Sequence, residues 1–181
     1  APELACRVLK QCRADSSVPE DARVVAEDAD FVYYEERVPG VRTDVLHPET
    51  TRLFIELNYE AYRERFEADF GRTIAAMFTD EPGAGGYLNG IYYAADGPVE
   101  TPIPWSRNFA GRFGQEYDHE LKPRLAYLFG YRGEGREARR TRHDFAEFVQ
   151  NCFGRNYMQP LRDWCEAHGL LYIGHLNWDE R

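Results

Sequence analysis

The segment Thr73-Ile74-Ala75-Ala76-Met77-Phe78-Thr79-Asp80-Glu81-Pro82 constrains this chain more than any other. A mostly apolar run of strand length is followed by two adjacent carboxylates and then by a proline that ends it. The preceding Phe70-Gly71-Arg72 closes a helix, with Gly71 where a left-handed C-cap is wanted. A helix, a short loop, an apolar strand and acids at the strand's carboxyl end are the wiring of a parallel α/β unit. In such folds that edge carries the active site. A strand interior has no use for Asp80-Glu81, because burying unpaired carboxylates is costly. The pair therefore sits at the mouth of a site or in solvent.

With 181 residues the chain buries one good core and is most simply one domain, 1–181. Aromatic residues make up 14% of it, enough for a core and for a ring-binding cleft. The net charge of -9, from 31 acids against 22 bases, argues against nucleic acid as a partner, since that needs a basic footprint. The one basic run, Arg136 to Arg142, alternates with Glu134 and Glu137 as a solvated helix face does. No stretch approaches the ~20 apolar residues that cross a bilayer, so no membrane span is expected. The start, Ala1-Pro2-Glu3-Leu4, lacks the pattern of a signal peptide. Cys6, Cys12, Cys152 and Cys165 form no CxxC pair and no metal-ligand spacing. They read as buried free thiols, a pattern that fits the cytoplasm, and no metal or cofactor is expected.

Along the chain, residues 3–13 read as a short helix and Phe31-Val32-Tyr33-Tyr34 as a strand after a turn-rich stretch. From Pro48 the spacing of Leu53, Phe54, Leu57, Ala61 and Phe66 predicts an amphipathic helix as far as Phe70. After the strand 73–79, residues Gly83 to Pro104 form a long irregular excursion rich in glycine and tyrosine. Ser106 is a candidate N-cap for the next helix, and a short helix follows from Pro123 to Phe129. The longest helical pattern is 136–168, with Pro160 predicting a kink or a break about one turn earlier. Gly169 ends it, and Leu170 to Leu176 is a second buried strand.

These residues resemble a family. Asp44-Val45-Leu46-His47-Pro48-Glu49, Phe54-Ile55-Glu56-Leu57 and Tyr59-Glu60-Ala61-Tyr62 are similar to the third repeat of a glycoside hydrolase (β/α)₈ barrel. Phe78-Thr79-Asp80-Glu81-Pro82 resembles the strand that carries its acid, and Ile103-Pro104-Trp105-Ser106, Trp164-Cys165, His168-Gly169-Leu170 and Gly174-His175-Leu176 continue the likeness. The set is similar to α-L-rhamnosidase-like barrels and their unassigned relatives over most of residues 40–181. At Tyr117-Asp118-His119-Glu120-Leu121 the chain departs from the Gly-Tyr-hydrophobic rhythm of those relatives. The resemblance implies an α/β fold of partial TIM-barrel-like (β/α) repeats, with parallel strands and a long inserted loop. A whole barrel takes ~250 residues, so the chain would be about half of one, a fragment with exposed sheet edges through which it self-associates.

The chemistry implied is hydrolysis of O-glycosidic bonds in a carbohydrate substrate, which needs two carboxyl groups flanking the bond. The resemblance maps the general acid onto Glu81. Asp80 beside it raises the Glu81 pKa by like-charge proximity, as a proton donor at neutral pH requires. Glu180 is the candidate second catalytic carboxylate, with Asp179 and His175 as ligands to substrate hydroxyls. Trp105 is expected to stack on a sugar face. The competing reading is a non-catalytic α/β module that binds carbohydrate or protein through its aromatic loop. A metal-dependent reaction at His175, Asp80 and Glu81 ranks last, because no HxH or HExxH spacing supports it.

Overall fold

The computed structural model describes residues 5–38, 43–80, 82, 102–129 and 133–175. Its larger sheet holds strands β1 (Arg7–Arg13), β2 (Arg23–Glu27), β3 (Phe31–Arg37) and β5 (Ile103–Trp105) in the order β2-β3-β1-β5. Every pairing in it is antiparallel. The hairpin from β2 to β3 is closed by Asp28, whose Oδ1 accepts from the backbone of Asp30 and Phe31, both at 2.9 Å. Of residues 3–13, expected to be helical, Arg7–Arg13 instead form an inner strand of this sheet. Val8 and Leu9 are adjacent and both buried, on opposite faces of the sheet. That double burial removes the period-two alternation by which a half-exposed strand announces itself.

One face of this sheet carries Leu9, Tyr33, Ile103 and Trp105 into the main core. Helix α3 (Phe109–Glu116), a 3₁₀ turn (Lys122–Tyr127) and helix α4 (Arg136–Phe153) supply the other side. Their aromatic rings interlock: Trp105 meets Phe109 edge-on at 5.4 Å, and Phe109 lies 4.8 Å from Phe148.

A second core forms around strands β4 (Ala76–Asp80) and β6 (Leu171–His175), which pair in parallel as a two-stranded sheet. Tyr59, Leu161, Trp164, Cys165 and Leu170 pack beneath it. All but Leu170 come from two helices, each interrupted by a π turn. The first runs α1 (Pro48–Phe54), π turn Ile55–Tyr59 and α2 (Glu60–Phe66). The second continues α4 through the π turn Gly154–Met158 into α5 (Gln159–Ala167). Pro160 lacks the N–H that the Asn156 carbonyl would accept, and the helix widens instead of breaking, with the Gln159 N–H reaching the Gly154 carbonyl.

The expected partial TIM-barrel-like (β/α) repeats with parallel strands and a long inserted loop are corrected by this topology. Among the described residues no barrel closes and only β4 and β6 are parallel. The physical reason is the placement of β5. It follows β4 in the chain yet hydrogen-bonds to β1, so strands that are successive in sequence enter different sheets. Of the expected loop, residues 83–101 lie outside the described residues, and its end forms that strand.

Candidate functional site

The register of β4 against β6 sets Ala76 beside Leu171, Phe78 beside Ile173 and Asp80 beside His175. Alternation along both strands puts these six residues on one face. That face is open: Phe78 is 58% exposed, Leu171 65% and Ile173 46%. Asp80 and His175 are exposed at its carboxyl edge, and the His175 ring lies 5.7 Å from that of Phe78. The strands approach so closely at Thr79 and Gly174 that a Cβ on Gly174 would stand 2.0 Å from the Thr79 carbonyl oxygen. Only glycine fits there.

The opposite face carries Met77, Thr79 and Tyr172 toward the helices. Burial pushes the hydroxyls of Tyr59, Tyr157 and Tyr172 above the ordinary tyrosine range, and the Thr79 side chain acts on all three in the other direction. A phenol-rich layer thus lies beneath the carboxyl edge. Tyr59 stands edge-on to Trp164 at 4.9 Å, and the Trp164 Nε1–H donates to Glu60 Oε1 at 2.7 Å.

Of the expected site residues, the fold brings Asp80 and His175 together as register partners. Glu81, Asp179 and Glu180 lie outside the described residues. Trp105 is elsewhere: it is 2% exposed in the main core, so neither face of its indole is open to a sugar. Its Nε1–H donates to Glu35 Oε2 at 3.0 Å, and Arg23 grips the same buried carboxylate through both oxygens at 2.8 Å. Arg7 adds a bond to Oε1 at 3.2 Å. Ser106, expected to cap α3, instead donates to Asp44 Oδ2 at 2.7 Å. The helix begins after Asn108, which takes the left-handed conformation at φ 55°.

Glu35 and Asp44 are the buried carboxylates that sequence reasoning underrated. Period two puts Glu35 on the face of Tyr33, which is the available signal for its burial. No local pattern marks the burial of Asp44, because its side-chain partner Ser106 lies 62 residues away. Phe78 sits in an apolar strand run, yet its ring is exposed beside the acid edge. Among the described residues, no three His, Cys, Asp or Glu side chains gather as a metal site would need. Nor is any described helix long and apolar enough to cross a membrane. In comparisons with known proteins, the chain matches no family model, no curated protein and no solved structure.

Proposed function

We propose that the carboxyl edge of β4 and β6 is a carbohydrate site at which O-glycosidic bonds are hydrolysed by carboxylate acid/base chemistry. The observation that supports this most is the exposed grouping of Phe78, Asp80 and His175 on one face at the ends of parallel strands. An exposed ring takes the apolar C–H face of a sugar, while a carboxylate and an imidazole beside it bond to hydroxyl groups. Phe78 thereby fills the stacking role first assigned to Trp105. Glu81, the next residue after Asp80, is the general acid of this proposal. Its carboxyl proton passes to the glycosidic oxygen as the bond from that oxygen to the sugar carbon breaks. A second carboxylate, for which Glu180 is the candidate, serves as nucleophile or takes the proton of the attacking water.

The test is Glu81→Gln, assayed in this chain and in any longer polypeptide containing it, on two substrate types. Alkyl glycosides, whose leaving group needs protonation, should lose roughly 10²–10⁴-fold in rate. Aryl glycosides with acidic phenols should be cleaved within a few fold of wild type, because their leaving group departs unprotonated. Phe78→Ala should weaken sugar binding in both. Equal loss on the two substrates removes Glu81 from the role of proton donor. Sugar binding without any hydrolysis would make the edge a non-catalytic carbohydrate-binding module. Absence of both overturns the proposal.

A further inference from the structure

Apart from Val24, the large hydrophobic side chains exposed among the described residues fall in two groups. Phe78, Leu171 and Ile173 form the open face of β4 and β6. Phe54, Leu57, Tyr62 and Phe66 lie along the helix that runs from α1 through its π turn into α2, with Leu57 69% exposed and Tyr62 48%. Leu57, Ala61, Tyr62, Arg65 and Phe66 border a shallow groove of about 220 Å³ on this helix, together with Asn58. They form two rows at four-residue steps, 57-61-65 and 58-62-66, and grooves between such rows are where a helix takes the side chains of a packed neighbour.

The two surfaces cannot meet within one chain. The helix packs through Ile55 and Tyr59 on the face of β4 and β6 that carries Met77 and Tyr172, whereas Phe78 stands on the other face. Yet each surface supplies what the other lacks. A parallel sheet ordinarily has helices on both faces, and β4 with β6 has them on one. The groove has room for the Phe78 ring, since cavities of about 150 Å³ hold benzene. Charge matches as well. Arg65 is exposed at the groove, and Asp80 is exposed on the same sheet face as Phe78. Neither makes a hydrogen bond or an ion pair among the described residues.

We infer that the groove receives the β4–β6 face of a second copy of this chain, with Phe78 of one copy entering the groove of the next and Arg65 pairing with Asp80 across the contact. Such a contact is heterologous: each copy presents one surface and receives on the other, so assembly runs head to tail. Few side chains take part, so the buried area falls at or below the ~1,200 Å² end of standard interfaces, and association is weak and concentration-dependent. The contact also covers Phe78, Asp80 and His175. In an open assembly only the end copy therefore keeps this face free. The inference does not rest on the carbohydrate reading, because association is measured without sugar.

Sedimentation velocity of the full chain over a wide concentration range, without sugar, tests the inference. Wild type should shift from monomer to larger species as concentration rises. Phe78→Ser with Ile173→Ser removes the face, and Leu57→Ser with Tyr62→Ser removes the groove. All four side chains are exposed, so melting temperatures should stay within a few degrees of wild type. Each double variant alone should remain monomeric. Mixed, the two should form a dimer that grows no further, because one brings an intact groove and the other an intact face. Arg65→Glu should weaken wild-type association about tenfold, and adding Asp80→Arg to it should restore association. The inference is overturned if wild type stays monomeric, if the groove variant associates as wild type does, if the mixture forms no dimer, or if the charge exchange has no effect. Association that survives loss of the groove but not of the face would mean that sheet faces pair with each other instead.

Discussion

Asp44 is buried with both carboxylate oxygens engaged, Oδ1 by the Leu46 N–H at 3.0 Å and Oδ2 by the Ser106 hydroxyl at 2.7 Å. Burial nonetheless outweighs both bonds and pushes its pKa above the ordinary carboxylate value. In the folded protein this group therefore holds its proton to higher pH than in the unfolded chain. Its contribution to stability falls as pH rises from about 3.9, the unfolded value, through the raised folded value, and stays constant above it. Replacing it by Asn removes the titration. The unfolding free energy of wild type relative to Asp44→Asn should thus decline across the acid range and level off toward pH 7. Thermal melts from pH 3 to 7 measure this difference. A gap that is flat, or that grows in favour of wild type with pH, would contradict the argument.

At the scale of elements, the pairing of β4 with β6 depends on the backbone contact at Gly174. Gly174→Ala would force a Cβ onto the Thr79 carbonyl, an atom that no rotamer can move aside. Loss of about 1–3 kcal/mol in stability is expected, as for an overpacked core, with faster hydrogen exchange along Ala76–Asp80. Gly154→Ala is the control, because a Cβ at Gly154 meets nothing within 4 Å. It should be neutral or stabilising, since alanine favours helix over glycine. If Gly174→Ala melts like its control, the strands are not held as described. The helices show a related dependence on partners. Pro160 announces its π turn in the sequence, whereas the turn at Ile55–Tyr59 has no proline. That turn adds a residue to one helical winding, and next to it Tyr59 and Glu60 both meet Trp164.

For the whole molecule, the open face of β4 and β6 is the dominant feature. Parallel strands are ordinarily covered on both faces, yet here Phe78, Leu171 and Ile173 face outward. The isolated chain is expected to bind a dye that reports apolar surface and to self-associate with rising concentration. The double variant Phe78→Ser, Ile173→Ser should suppress both while changing stability by less than about 1 kcal/mol, because exposed side chains contribute little to folding. Sedimentation as a compact wild-type monomer without dye binding would show that this face is not adhesive.

Hydrophobic spacing and caps made several elements readable from the sequence. Apolar residues at three- and four-residue steps marked the helices now seen as 48–66 and 136–167, with Gly71 and Gly169 at positive φ after them. The apolar runs followed by Asp80 and His175 marked β4 and β6, and their carboxyl ends do meet. Such signals arise between residues a few positions apart, where one turn or one pleat sets the geometry. Strand partnership is different, because its hydrogen bonds join backbone groups common to every residue and leave no local mark. Nothing near Val8 specifies that β1 lies between β3 and β5, or that Ile103–Trp105 leaves the β4 strand to join it. The same holds for buried charge. Glu35 enters the core only because Arg7, Arg23 and Trp105 converge on it from three other strands. His119 is held against α4 only because Asp144, 25 residues on, meets its Nε2. Local chemistry in the chain determined the helices and the two strands with polar carboxyl ends. Tertiary packing decided which strands pair, which aromatic residue is exposed and which carboxylates are buried, since each rests on contacts between distant parts of the chain.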